Sequence, residues 1–211
     1  MNARWRRTRG KGLVAMAVML AGVSSAHAHL MNTGLGPFYD GLAHLFFTPE
    51  DLLPVIALAL LAGLRGPDFG RAALFTLPAS WIVGSAAGRW IPLPAGLLAA
   101  TALLTVAIGA LAAADRPVSR AIVMGCAVAL GLLRGGLSGI ELARTGSGAS
   151  AEAGVAVALF VLVAILAGHV STLRAMWARV AVRVAASWIA AAGLFMLGWA
   201  LRTAAASPAT R

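Results

Sequence analysis

The stretch TGLGPFYDGLAHLFFTPEDLLPVIALALL, residues 33–61, joins a short polar segment to a strongly apolar one. Its polar part holds four ionisable side chains: Asp40, His44, Glu50 and Asp51. Three of these are acidic, although the whole chain has only seven aspartates and glutamates. Ionisable groups beside or within a membrane-spanning segment are costly and usually have a function. This segment is therefore the first candidate for a functional site.

The composition of the whole chain is that of a membrane protein. Hydrophobic residues make up 60% of it, against roughly 45–50% in soluble domains, and the mean hydropathy is +0.87. Only 11% of the residues are charged. The single cysteine, Cys126, lies in an apolar run, which excludes a disulfide framework and a cysteine-based metal site. A chain of 211 residues without a low-complexity linker predicts one all-α membrane domain.

Residues 1–28 have the three parts of a cleavable signal peptide. The apolar run LVAMAVMLAGV and the small-residue end SSAHA follow a basic start, formed by Arg4, Arg6, Arg7, Arg9 and Lys11. Cleavage after Ala28 would make His29 the first mature residue, and cleavage after Ala26 or an uncleaved signal anchor are the alternatives. An N-terminal histidine offers an α-amine and an imidazole, which suit nickel, copper or zinc.

Six apolar segments follow, and most approach the ~20 residues that cross a ~30 Å hydrocarbon core. They cover residues 49–64, 72–91, 95–114, 121–141, 153–173 and 181–201. Short connections between them predict antiparallel neighbours. Residues 29–211 are therefore predicted to form a single bundle of about six transmembrane helices.

The distribution of arginine orients this bundle, because basic residues are retained on the cytoplasmic side. With the mature N-terminus in the periplasm, the cytoplasmic set is Arg65, Arg71, Arg116, Arg120, Arg174, Arg179 and Arg183. The outer set is smaller: Arg89, Arg144, Arg202 and Arg211. The sequence thus predicts a multi-pass protein of a bacterial inner membrane with both mature termini in the periplasm.

Small residues recur at four-residue spacing in two of the spans. GSAAG at 84–88, and GLLRG and GGLSG within 131–139, let helix backbones approach closely. We expect close helix packing at these positions, and such a face could also serve a homo-oligomer.

The polar residues at the start of the first span allow two interpretations. Thr48 fits an N-cap and Pro49 fits the first helical position. Glu50 and Asp51 would then complement the helix dipole in the first turn. However, Pro54 removes the hydrogen bond to the carbonyl of Glu50, and a freed carbonyl beside two carboxylates can bind a cation. The residues alone leave both roles open.

GPFYDGLAHLFF, just upstream, predicts a short helix in which Asp40 and His44 lie on one face. A carboxylate beside a histidine either orients the ring or joins it as a metal ligand. The alternative is an interfacial helix whose aromatic side chains lie among lipid headgroups. The density of ionisable groups favours metal binding.

Two further polar residues fall within the predicted spans. Arg134, in the fourth, is expected to pair with a carboxylate rather than contact a cation, which it would repel. Its candidate partners are Asp40, Glu50, Asp51 and, more weakly, Glu141. His169, near the inner end of the fifth span, is either a structural hydrogen-bonding group or part of a transport pathway.

Two long motifs resemble a known family. HAHLMNTGLGPFYDGLAHLFFTPEDLLPVIALALLAGLRG, residues 27–66, closely resembles the start of HupE/UreJ-like membrane proteins of the second subgroup. ARVAVRVAASWIAAAGLFMLGWALR, residues 178–202, resembles their final helix. The spans between them match in length and placement, so the resemblance covers nearly the whole chain.

The resemblance implies a polytopic membrane protein with hydrogenase or urease accessory functions, generally taken to be a permease for nickel or a related metal. In better-defined relatives a histidine-and-aspartate motif in the first span is thought to bind the metal. Asp40-Gly-Leu-Ala-His44 is the matching element here, with His29 before it.

The leading hypothesis is an inner-membrane permease for a divalent transition metal, and nickel is the ion that it favours. The metal ligands would be His29, Asp40, His44, Glu50 and Asp51. Nitrogen and carboxylate ligands suit nickel, cobalt or zinc. The chain would hold no permanent cofactor, only the transported metal. No nucleotide-binding motif G-x-x-x-x-G-K-[ST] occurs, so transport is expected to be passive, ion-coupled or dependent on another protein.

Two other classes of function stay open. One is an accessory protein that does not transport and docks a metallochaperone or a maturing enzyme through the polar segment at 142–152. The other is a haem-binding electron-transfer subunit with His44 and His169 as axial ligands. An enzyme is not expected, because no nucleophile–base pair or metalloprotease motif occurs. Lipid is an expected partner and nucleic acid is not, since the positive charge lies at the N-terminus and between the spans.

Overall fold

The computed structural model describes residues 33–91, 96–145 and 148–206. The predicted signal peptide and His29 lie outside these residues and stay predictions. In the described part of the chain there are seven α-helices and no strand. They are α1 (Pro37–Phe47), α2 (Pro49–Arg65), α3 (Pro67–Gly88), α4 (Leu97–Ala114), α5 (Arg120–Thr145), α6 (Gly148–Thr172) and α7 (Met176–Ala206).

Proline marks the start of each of the first three helices. Its fixed φ suits the first helical position, where the missing N–H has no intrahelical partner. The short helix predicted around His44 is confirmed as α1, and Glu50 and Asp51 do lie in the first turn of α2. The break in the chain lies at Thr48, before Pro49, whereas α2 continues through Pro54.

The second helix, α2, is the centre of the bundle. It contacts all six other described helices, and most of its residues are buried, from Asp51 to Leu64. A helix that is apolar on every side is stable only when neighbours surround it. The short polar segment before α2 is consequently carried to the point where several helices converge.

Length and composition make four of the described helices candidates to cross a membrane: α4, α5, α6 and α7. The pair α1 and α2 passes the same test together, bent by 73°, which raises the number to five. The predicted all-α membrane bundle is confirmed, with four or five candidate spans in place of about six. The difference is α3, whose hydropathy is lowered by the charged Asp68 and Arg71 near its start and by its proline, serines and glycines.

Three helices extend beyond the apolar runs from which they were predicted. α5 reaches Thr145, α6 begins at Gly148 and α7 runs from Met176 to Ala206. Arginine, glutamate and alanine in these extensions favour helix, so the helices continue into polar sequence. In the segment 142–152, which the sequence suggests as a polar loop between spans, residues 142–145 and 148–152 are helical, so a long loop was the wrong expectation for these described residues.

The predicted small-residue packing is confirmed between α3 and α5. A Cβ at Gly84 would lie 2.6 Å from the carbonyl oxygen of Leu132. Added Cβ atoms at Gly88 and Gly139 would meet the backbone of the facing helix in the same way. The two backbones thus touch over two turns, and this contact fixes the position of the polar residues on α5.

Replacing Gly135 with valine is expected to destabilise the protein strongly, because the added Cβ would lie 2.9 Å from the Cα of Trp81 on α3. Overpacking of this kind costs about 1–3 kcal/mol or more. Thermal unfolding of the purified protein in detergent measures the effect. Gly125→Val on the same helix is the matched control, since nothing lies within 4 Å of a Cβ there. Equal unfolding midpoints for the two variants would contradict the packing.

A group of ion pairs joins three helix ends at the arginine-rich side of the bundle. Arg65, at the end of α2, pairs with Asp115, which follows α4. Arg179, near the start of α7, lies 3.3 Å from the same carboxylate. The ends of α2 and α4 and the start of α7 therefore lie together, and the segment around Thr48 lies at the opposite end of the bundle.

Candidate functional site

The joint between α1 and α2 buries a histidine. Thr48 interrupts the helix before Pro49, since the residue before a proline avoids helical conformation. The resulting bend points His44 inward, and only 4% of its surface is exposed. Its Nδ1 lies 3.5 Å from the hydroxyl oxygen of Thr48. Thr48 therefore contacts the histidine and makes no side-chain cap to α2.

The other ring nitrogen of His44 faces two carboxylates. Its Nε2 lies 3.5 Å from Oδ2 of Asp51 and 3.6 Å from Oε2 of Glu141. This nitrogen is buried and has no hydrogen-bond partner among the described residues. A buried polar atom without a partner is costly, so its presence between two carboxylates calls for an explanation.

Asp51 and Arg134 form a buried ion pair. Nε and Nη2 of Arg134 lie 2.6 Å and 2.5 Å from Oδ1 of Asp51, and both residues are buried. The prediction that Arg134 pairs with a carboxylate is confirmed. Because the guanidinium contacts Oδ1, the second oxygen of Asp51 is left facing His44.

Glu50 lies on the other side of the guanidinium. Its Oε2 is 3.7 Å from Nη1 of Arg134, and 59% of its side chain is exposed. The guanidinium of Arg134 thus bridges a buried carboxylate and an exposed one. We refer to His44, Glu50, Asp51, Arg134 and Glu141 together as the outer cluster, after the end of the bundle that the arginine distribution predicts to face outward.

Glu141 is the residue whose importance the sequence understated. It was predicted only as a weak partner for Arg134, yet its carboxylate lies beside His44. Seven residues separate Arg134 from Glu141, which is two helical turns, so both side chains project from one face of α5. That spacing was the available signal. The bend that brings His44 to the same place was not visible in the sequence.

The outer cluster has the donor types of a transition-metal site. Ligand atoms about 2.1 Å from one ion lie roughly 3–3.5 Å apart, close to the distances found here around Nε2 of His44. Imidazole and carboxylate together suit nickel, zinc or cobalt. In the described ranges, no group of three or more histidine, cysteine, aspartate or glutamate side chains is already arranged to hold a metal ion.

Two of the predicted site residues lie apart from these contacts. Asp40 accepts hydrogen bonds from the backbone N–H and the hydroxyl of Thr33, at 2.6 and 2.7 Å. It therefore ties the segment before α1 to that helix. His169 is exposed near the C-terminal end of α6, whereas α1 packs against the N-terminal end of α6 at Gly154. His44 and His169 consequently lie at opposite ends of the bundle, which argues against haem bound between them.

A cleft opens beside the outer cluster. It has a volume of about 660 Å³ and lies between the start of α2, the start of α4 and the end of α7. Glu50 and Arg134 form its polar end, and Leu98, Phe195 and Trp199 contribute to an apolar lining. Arg134 and Glu50 thus both border this cleft.

Apolar helices around a buried polar cluster define a polytopic, all-α membrane protein. The HupE/UreJ protein family matches residues 15–196, and the chain belongs to this family. The resemblance seen in the sequence is thereby confirmed at the level of the family, which comprises transport and accessory proteins rather than enzymes. No curated protein and no solved structure matches the chain.

Proposed function

We propose that this protein is an inner-membrane permease for a divalent transition metal, with nickel as the favoured cargo, and that it captures the ion at its periplasmic end. The observation that carries the proposal is the buried Nε2 of His44, which faces carboxylate oxygens of Asp51 and Glu141 without a hydrogen bond. A divalent cation between these atoms could take all three of them as ligands. Family membership supports the same class of function.

In this proposal the outer cluster is the capture site, and two predicted ligands act before it. His29 would meet the ion first at the mature N-terminus. Asp40, on the surface of α1, would supply negative charge at the mouth. Glu50 would lie at the rim, and His44, Asp51 and Glu141 would hold the ion. The metal is the cargo of the protein, and no permanent cofactor is needed.

Uptake of radiolabelled nickel by cells that make the intact protein tests the proposal, beside cells with the empty vector. We expect uptake that requires the protein and that unlabelled nickel, cobalt or zinc inhibits, whereas magnesium does not, since magnesium prefers oxygen ligands and keeps its waters. If cells with the protein take up no more of any metal than cells with the empty vector, the protein is not a permease for these metals. A protein that docks a metallochaperone without transporting would then be the better explanation.

A further inference from the structure

We infer that Arg134 is a built-in counter-ion that exchanges partners when a cation binds, moving from Asp51 towards Glu50. The inference rests on the proposed function and adds a mechanism of selection to it. It starts from the two carboxylates on either side of one guanidinium, at 2.5 Å for Asp51 and 3.7 Å for Glu50.

Charge repulsion supplies the reason for the exchange. A cation bound to His44 and to Oδ2 of Asp51 lies next to the carboxylate whose Oδ1 holds Arg134. The cation draws on the same negative charge and repels the guanidinium, and both effects weaken the buried pair. Glu50 is the nearest alternative partner, and the cleft beside it provides room for the movement.

The formal charges of the outer cluster also favour a divalent ion. Three carboxylates and one guanidinium give a charge of minus two when His44 is neutral. A divalent cation neutralises the cluster and repels Arg134 twice as strongly as a monovalent ion does at the same distance. Sodium and potassium ions prefer oxygen to imidazole nitrogen as a ligand. Because each carries only one positive charge, they would repel the buried guanidinium too weakly to displace it. Arg134 thus acts as a filter against monovalent cations.

The position of Arg134 can be followed by chemical modification of the purified full-length protein in detergent. Phenylglyoxal modifies accessible guanidinium groups, and peptide mass mapping reports each arginine separately. Only 7% of the Arg134 side chain is exposed, against 59% for Glu50. We expect its modification to speed up several-fold with nickel and to stay unchanged with potassium at equal ionic strength. Arg144, which is exposed on the same helix, is the internal reference.

The variant Glu50→Gln tests the destination of the guanidinium. It should abolish the nickel-dependent rise in Arg134 modification and weaken nickel binding by roughly tenfold, a typical coupling between sites. Asp68→Asn is the matched control, because Asp68 also follows the first proline of its helix but lies exposed at the inner end. Equilibrium dialysis with labelled nickel measures binding in the same samples.

The possible outcomes separate this inference from the proposed function. Nickel binding with an unchanged or slower modification of Arg134 would overturn the exchange and leave the permease intact. A faster modification that persists in Glu50→Gln would overturn Glu50 as the new partner. No nickel binding to the wild-type protein would remove both proposals together.

Discussion

Replacing His44 with alanine is expected to reduce nickel uptake by at least about 100-fold, since even residues that only support a metal ligand contribute 10–100-fold. The imidazole supplies the only nitrogen ligand of the outer cluster, and its Nε2 is the atom that both carboxylates face. Without it, three carboxylates and a guanidinium remain, and carboxylate oxygens alone bind nickel far less selectively.

His169→Ala is the matched control for this prediction, because it makes the same change at an exposed site near the other end of the bundle. Uptake of labelled nickel is compared at equal membrane abundance of each protein. His44→Gln, which keeps most of the buried volume, separates the loss of a ligand from the loss of packing. If both His44 variants take up nickel at the wild-type rate, the protein is still a permease, but the outer cluster is not its metal site.

Replacing Arg134 with methionine is expected to destabilise the protein by about 3–5 kcal/mol, because it leaves Asp51 as a buried, unpaired carboxylate. Only 2% of Asp51 is exposed, and Arg134 is its guanidinium partner. The midpoint of thermal unfolding in detergent should fall by roughly 10 °C or more. Arg71→Met is the matched control, because it breaks an ion pair with Asp68 that is exposed to solvent, and its midpoint should stay close to that of the wild type.

The double variant Asp51→Leu/Arg134→Met should recover most of the lost stability, since apolar side chains of similar volume can replace a buried ion pair. It should bind no nickel, since Asp51 is a proposed ligand. Recovered stability without nickel binding would show that the pair is kept for function rather than for folding. A double variant no more stable than Arg134→Met would contradict the assignment of the stability loss to an unpaired Asp51.

The buried ion pair also decides how the site should respond to cations of different charge. Arg134 contributes a positive charge beside a proposed cation site, which at first sight opposes binding. Its contacts with one oxygen of Asp51 leave the other facing His44, and Glu50 offers the guanidinium a second partner. In the proposed exchange, the same residue would stabilise Asp51 until a divalent ion binds and would then withdraw towards Glu50.

The class of protein and the helical character of the bundle followed from the sequence by itself. The amount of apolar sequence is far beyond what a soluble core needs. The prolines at 37 and 49 mark helix starts that depend only on local chemistry. The sequence also predicted close packing at the small-residue faces of α3 and α5, because small residues at four-residue spacing let helix backbones approach. That these two faces pack against each other was shown only by the structure.

The composition of the site was decided only by the tertiary structure. Helical spacing suggested Asp40 beside His44, but Asp40 binds Thr33, and the 73° bend at Thr48 directs His44 to Asp51 and Glu141 instead. Glu141 lies almost a hundred residues from His44, and only the α3–α5 contact and the central place of α2 bring them together. Local patterns determine which side chains share a helix face, whereas the packing of helices distant in sequence determines which faces meet.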